Sequence, residues 1–211
     1  MKQRNYKVDL EIYVVFIIVI GISVFNAIYS SVYINRNQEV TTNIMTDDIP
    51  SLQALENMNS LIIRSKMYST NWVYLEGNRI DKEKLKALHN SDYPSRKATI
   101  QALMLKWKDN AAIDSMRSIF DAFEVQIYNQ KRVIEILSTH DDYKDPMKVF
   151  SAEEIVNNEI LPQCTNLIYS LNRVILKKKA LAELEHANVK ASSRTLTWSL
   201  ITLAILIVIV V

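Results

Sequence analysis

The sequence predicts an all-α protein, an antiparallel four-helix bundle flanked by two transmembrane helices. Three observations lead there. Glycine occurs only twice in 211 residues, against a usual share of about 7%, which excludes glycine-rich phosphate loops and most β architectures built on tight turns. An uncharged apolar run lies at each end of the chain, with about 160 mostly polar residues between them. Within those central residues the apolar positions recur at intervals of three and four, as they do on amphipathic helices.

The first run, residues 12–34, carries no charge and exceeds the roughly 20 residues that a spanning helix needs. Tyr13 lies near one end and Tyr29 and Tyr33 near the other, where interfacial aromatic belts fall. The run is too long for the apolar core of a signal peptide, and no clean small-x-small cleavage site follows it. The second run, residues 196–211, has about 16 residues, with Trp198 at its start, and reads as a spanning helix cut short. Lys2, Arg4 and Lys7 precede the first run, whereas Arg36 stands alone beyond it, ahead of Glu39, Asp47 and Asp48. The positive-inside rule then puts residues 1–11 in the cytoplasm and the domain at 35–195 outside. In a bacterium that domain is periplasmic, on a multi-pass protein of the inner membrane.

The central helices follow in order. Leu52, Leu55, Met58, Ile62, Trp72 and Leu75 mark the first, over about 36–76. Pro50 opens a new helix there or kinks a long one, and Gly77 is a plausible left-handed cap. The second helix spans about 82–108 and carries Ile100, Leu103 and Trp107. It is interrupted at 89–94, where Ser91 or Asp92 caps its restart at Pro94. The third, over 111–139, has a heptad seam of Ile113, Met116, Phe120, Phe123, Ile127, Gln130, Ile134 and Leu137, with one polar position. Residues 139–146 form a loop. In the fourth helix, over 148–195, Ser151 and Glu154 match a capping box, ahead of a stripe of Ile160, Cys164, Leu167, Leu171, Val174, Lys178 and Leu181. Parity fixes the count: a chain that leaves and re-enters a membrane on the same side needs an even number of long helices. Asp109-Asn110 is therefore expected to be a turn.

This order of elements, with the stretch TTNIMTDDIP leading into SLQALENMNSLI and NEILPQCTNLIYSLNRVI in the last helix, resembles the four-helix-bundle sensor domain of methyl-accepting chemotaxis proteins and transmembrane sensor histidine kinases. The resemblance covers nearly the whole chain and only the sensory half of such receptors. It implies a homodimer, a small-molecule ligand and a downstream kinase or signalling module joined after the second span, where the family continues into a HAMP linker. Nothing follows Val211, so the chain reads as a sensory fragment or as a protein acting through a partner.

Candidate chemistry is sparse. His89, His140 and His186 are not at metal-ligand spacing and read as surface residues. Asp141, Asp142 and Asp145 lack the alternation and central glycine of a calcium loop. No metal or other cofactor is expected, no catalytic set stands out, and a net charge of +2 gives no case for nucleic acid. Such sensors use arginines for acidic ligands, which directs attention to Arg64 beside Leu61 and Ile62 and to Arg173 between Leu171 and Val174. Each would hold a carboxylate by paired hydrogen bonds, or would be a solvated arginine flanking a core stripe. Trp72 and Tyr74 line a pocket or cap the core. Cys164 is a buried thiol or an intermolecular disulfide partner. The run Leu176-Lys177-Lys178-Lys179 reads as a solvated face, the alternative being contact with anionic headgroups. The functional expectation is a non-enzymatic sensing and signalling module that acts by a small shift of its last helix. The alternative is a membrane-anchored helical spacer or assembly subunit with no ligand.

Overall fold

Four prolines organise the helices of the computed structural model, which describes residues 3–210, with the side chains of 3–12, 206, 209 and 210 left aside. The α-helical elements are α1 (Gln3–Asn43), α2 (Ile49–Tyr74), α3 (Arg79–Ala87), α4 (Tyr93–Met104), α5 (Asn110–Ile136), α6 (Pro146–Ile155) and α7 (Leu161–Val210). Three junctions are not breaks: α1 to α2, α3 to α4 and α6 to α7 are each joined by a five-residue π-helical turn, at Ile44–Asp48, Leu88–Asp92 and Val156–Ile160. A proline stands two residues after the end of every one of these turns, as Pro50, Pro94 and Pro162.

The cause is steric. A proline inside a helix has no N–H to give, and its ring collides with the carbonyl four residues back. One extra residue in the preceding turn moves that carbonyl away, which is what a π turn inserts. The residue before Pro94 and the one before Pro162 close their wide turns: Tyr93 N–H donates to the Leu88 carbonyl and Leu161 N–H to that of Val156. The fourth proline, Pro146, sits in the first turn of α6, where its missing N–H costs nothing.

The structure is all-α with four packed helices: α2, α3 with α4, α5, and α6 with the first part of α7. Side-chain pairs set the directions. Asn59 bonds Asn172 while Tyr74 bonds Asn157, so α2 runs antiparallel to the α6–α7 helix. His89 meets Gln130 and Lys97 meets Glu124, so the α3–α4 helix runs antiparallel to α5. The core that these helices enclose includes Leu55, Met58, Ile62, Ile100, Met116, Phe123, Ile160 and Leu171. The chain divides into two units, Thr46–Leu181 and the flanking helical segments up to Met45 and from Ala182; α7 contributes to both.

Several sequence expectations are confirmed and others corrected. Asp109 caps α5 by accepting from the N–H groups of Ala111 and Ala112, so the predicted turn is present, beginning earlier because α4 ends at Met104. The 139–146 loop is present around a short 3₁₀ turn, Asp141–Lys144. The interruption at 89–94 is replaced by a π turn; Asp92 caps nothing and Ser91 bonds back to Ala87. Neither glycine has a positive φ. Gly77 is therefore no left-handed cap, and α2 closes instead through Leu75 N–H to Asn71. The capping box at Ser151 is also absent, because Asp145 starts α6 six residues earlier by accepting from Met147 N–H. Leu75 and Leu181, assigned to apolar stripes, are about half exposed. Among the described residues one helix is long and apolar enough to cross a membrane, near the N-terminus, with 11% of its most apolar window buried. The C-terminal apolar run continues α7 through Val210.

Candidate functional site

The three residues proposed from sequence lie apart. Arg64 is half-exposed on α2 and its Nε donates to its own helix at Ser60, 3.4 Å away. Arg173 is exposed on α7, on the wall of a groove of about 580 Å³ between α5 and α7, with Ser115, Ser118 and Ser170 around it. Trp72 is 3% exposed at the end of the bundle where the chain turns back. Its indole N–H donates to the Leu137 carbonyl at 3.1 Å, and Lys82 and Lys86 lie over its ring.

A layer of buried polar groups crosses the middle of the bundle, built on two glutamines one turn apart on α5. Gln130 Oε1 lies 2.7 Å from His89 Nε2 in the Leu88–Asp92 π turn, and its Nε2 donates to the Ser65 carbonyl of α2. Gln126 Nε2 reaches the last residue of the Val156–Ile160 π turn, at the Ile160 carbonyl, at 3.4 Å, and Cys164 Sγ at 3.1 Å. Both glutamines are fully buried. Gln126 Oε1 has no partner, so the network is complete around Gln130 and incomplete around Gln126. Burial pushes the Cys164 thiol up to about 11 and holds the His89 imidazole below its ordinary value, Gln130 opposing that shift. Cys164 is thus a buried free thiol. His89 belongs to this layer, not to a surface loop. The sequence exposed Gln130, whose place in the heptad seam is plain. Gln126 was missed, although it lies three residues after Phe123 and four before Gln130; the buried stripe follows the wider 3.6-residue period and takes in Ile119, Gln126 and Val133.

Opposite charges tie the helices at the end where the chain comes in at Thr46 and leaves at Leu181. Lys106 meets Asp47 at 2.7 Å, Lys177 meets Asp109 at 2.6 Å, and Lys178 lies 3.5 Å from Asp48. Lys178 is 8% exposed and sits 4.4 Å above the Trp107 ring, whose indole N–H donates to Ser51 Oγ. This clamp joins the turn before α2, the end of the α3–α4 helix, the cap of α5 and α7. Hydrogen bonding to Lys106 and to Lys177 holds the Asp47 and Asp109 carboxyls below the usual range. The lysine run is thus a solvated face at Lys177, which still reaches Asp109, and at Lys179, whereas Lys178 is buried against the other helices.

In the flanking unit, α1 and α7 touch through polar groups. Ser199 Oγ donates to Asn26 Oδ1 and Tyr33 Oη to Ser192 Oγ, both at 3.2 Å, and Asn26 is buried in a stretch that is otherwise mostly exposed and apolar. No family model, curated protein or solved structure matches the chain.

Proposed function

We propose that the chain is a sensing and transmembrane signalling module: a periplasmic four-helix bundle held in the bacterial inner membrane by α1 and the end of α7, working as a homodimer and acting without catalysis. The observation that carries this is α7 itself. It is one unbroken helix from Leu161 to Val210, with bundle core positions such as Leu167 and Leu171 near its start and the apolar run at its end. The charge clamp supports the same reading, because it fastens α7 to the other three bundle helices through Lys177 and Lys178. So does the Ser199–Asn26 bond, a polar contact of the kind that holds adjacent spanning helices together. A ligand that altered the bundle would bias the position of α7 by an ångström or two, and a continuous helix carries such a shift along its axis. A kinase or other signalling module would receive it.

Topology tests this directly. In a Cys164→Ala background, Thr99→Cys places a thiol on the exposed face of α4. A membrane-impermeant maleimide should label it in intact spheroplasts without lysis. Labelling only after lysis would place the bundle in the cytoplasm and end the proposal.

A further inference from the structure

At the end of the bundle opposite the clamp, two cations stand outside the local ion pairs, one of them on an aromatic support. Two connections meet there, the α2–α3 turn and the α5–α6 loop, around a pocket of about 570 Å³ whose lining includes Glu76, Arg79, Lys82, Thr139, His140 and Tyr143. Lys82 Nζ lies 4.4 Å from the centroid of Tyr143 and 5.2 Å from that of Trp72. Neither Lys82 nor Arg79 makes an ion pair among the described residues, in contrast to Lys86, Lys144 and Lys148 nearby. The local carboxylates are already engaged: Asp81 accepts from Asn71 and Asn78, Asp142 from Thr139 and Lys148, and Glu76 bonds His140. Partial burial lowers the affinity of Lys82 for its proton, and the charge of Glu76 opposes this.

We infer that this pocket binds a small organic carboxylate, with Lys82 and Arg79 gripping the carboxylate and Tyr143 covering its carbon skeleton. A cation stacked on aromatic rings keeps its outer N–H groups free, and a guanidinium matches the two oxygens of a carboxylate. The Ser138 and Thr139 hydroxyls at the rim already donate to Asp142, so the grip falls to Lys82 and Arg79. Binding would draw the α2–α3 turn toward the α5–α6 loop. That loop is tied to α2 by the bond from Tyr143 Oη to the Trp72 carbonyl at 2.6 Å, and it leads through α6 into α7. The inference names the ligand class and site for the sensing function proposed above, and rests on it only for the consequence of binding.

The test is succinate binding to the full-length chain in detergent, by calorimetry and thermal melting, with inorganic phosphate and chloride at equal ionic strength as controls. Succinate should raise the melting temperature of the native chain by about 2 °C or more at saturation. Lys82→Met should weaken binding by about tenfold or more, as loss of a charge-assisted hydrogen bond does. Arg79→Ala, at an exposed position that cannot disturb the core, should weaken it similarly, and Arg173→Ala should leave it unchanged. No binding of succinate, equal stabilisation by phosphate, or undiminished binding by both the Lys82 and Arg79 variants would overturn the assignment. Any of these would leave the spheroplast labelling result standing, so failure of the site and failure of the sensing module are separable.

Discussion

Gln126 and Gln130 have the same side chain, sit one turn apart and are both fully buried, yet replacing each by methionine should have unlike effects. Gln130→Met removes the partner of His89 Nε2 at 2.7 Å and a donor to the Ser65 carbonyl. That carbonyl keeps the Ser69 hydroxyl at 2.7 Å, so the main cost falls on His89. A buried polar group left unpaired costs about 1–3 kcal/mol, and about 2 kcal/mol is expected here. Gln126→Met loses a long 3.4 Å contact and a bond to sulfur, and it removes an oxygen that has no partner. Methionine has similar volume, so no cavity term enters, and the change should be within about 0.5 kcal/mol of neutral or stabilising by up to about 1 kcal/mol. At roughly 3 °C per kcal/mol for a domain of this size, the melting temperatures of the two variants should differ by about 5 °C or more, Gln130→Met being the lower. The assay is thermal unfolding of the full chain in detergent, followed by circular dichroism. Equal midpoints, or a lower one for Gln126→Met, would refute the reading of one network as complete and the other as incomplete.

Other consequences follow from the same contacts. His89 binds its proton less readily in the folded chain than at its ordinary value of 6.5. The unfolded chain therefore takes up more protons, so stability should hold above pH 6.5 and fall as the pH drops below it. His89→Gln should flatten that part of the pH–stability curve. Trp72→Phe keeps an aromatic face for Lys82 but strips the donor from the Leu137 carbonyl, and should cost about 1–2 kcal/mol in denaturant titration. Phe123→Ala, at the centre of the core, should cost about 3–5 kcal/mol, whereas Arg64→Ala should move stability by no more than about 0.5 kcal/mol.

Much of the fold is legible because it rests on spacing. The stripe from Ile160 to Lys178 was read position by position, and even its one charged member, Lys178, is buried, its charge placed over Trp107 and beside Asp48. Helix count follows from parity, and an even count requires a turn at Asp109-Asn110. The capping and junction details were less legible, since prolines and small polar residues mark both helix starts and π turns. Pro94 and Pro162 look like starts in isolation; only the carbonyls of Leu88 and Val156, brought round by one extra residue, make them internal. Sites were least legible. The clamp and the far-end pocket join residues from separate helices, and neither Lys82 nor Asp48 belongs to a motif. Arginines were favoured because a carboxylate suits a guanidinium, but whether a cation is free depends on which carboxylates are already engaged, and only the folded chain shows that.

Transmission along α7 is the central claim, and one cross-linking rate tests it. Asn26 and Ser199 are hydrogen-bonded at 3.2 Å, so Asn26→Cys with Ser199→Cys, in a Cys164→Ala background, should form an intramolecular disulfide in native membranes. Releasing the clamp with Lys178→Met should change the rate of that oxidation severalfold while the bundle remains folded. An identical rate with the clamp intact and released would mean that α7 carries no displacement from the bundle to the apolar helices, and would favour a spacer over a sensor.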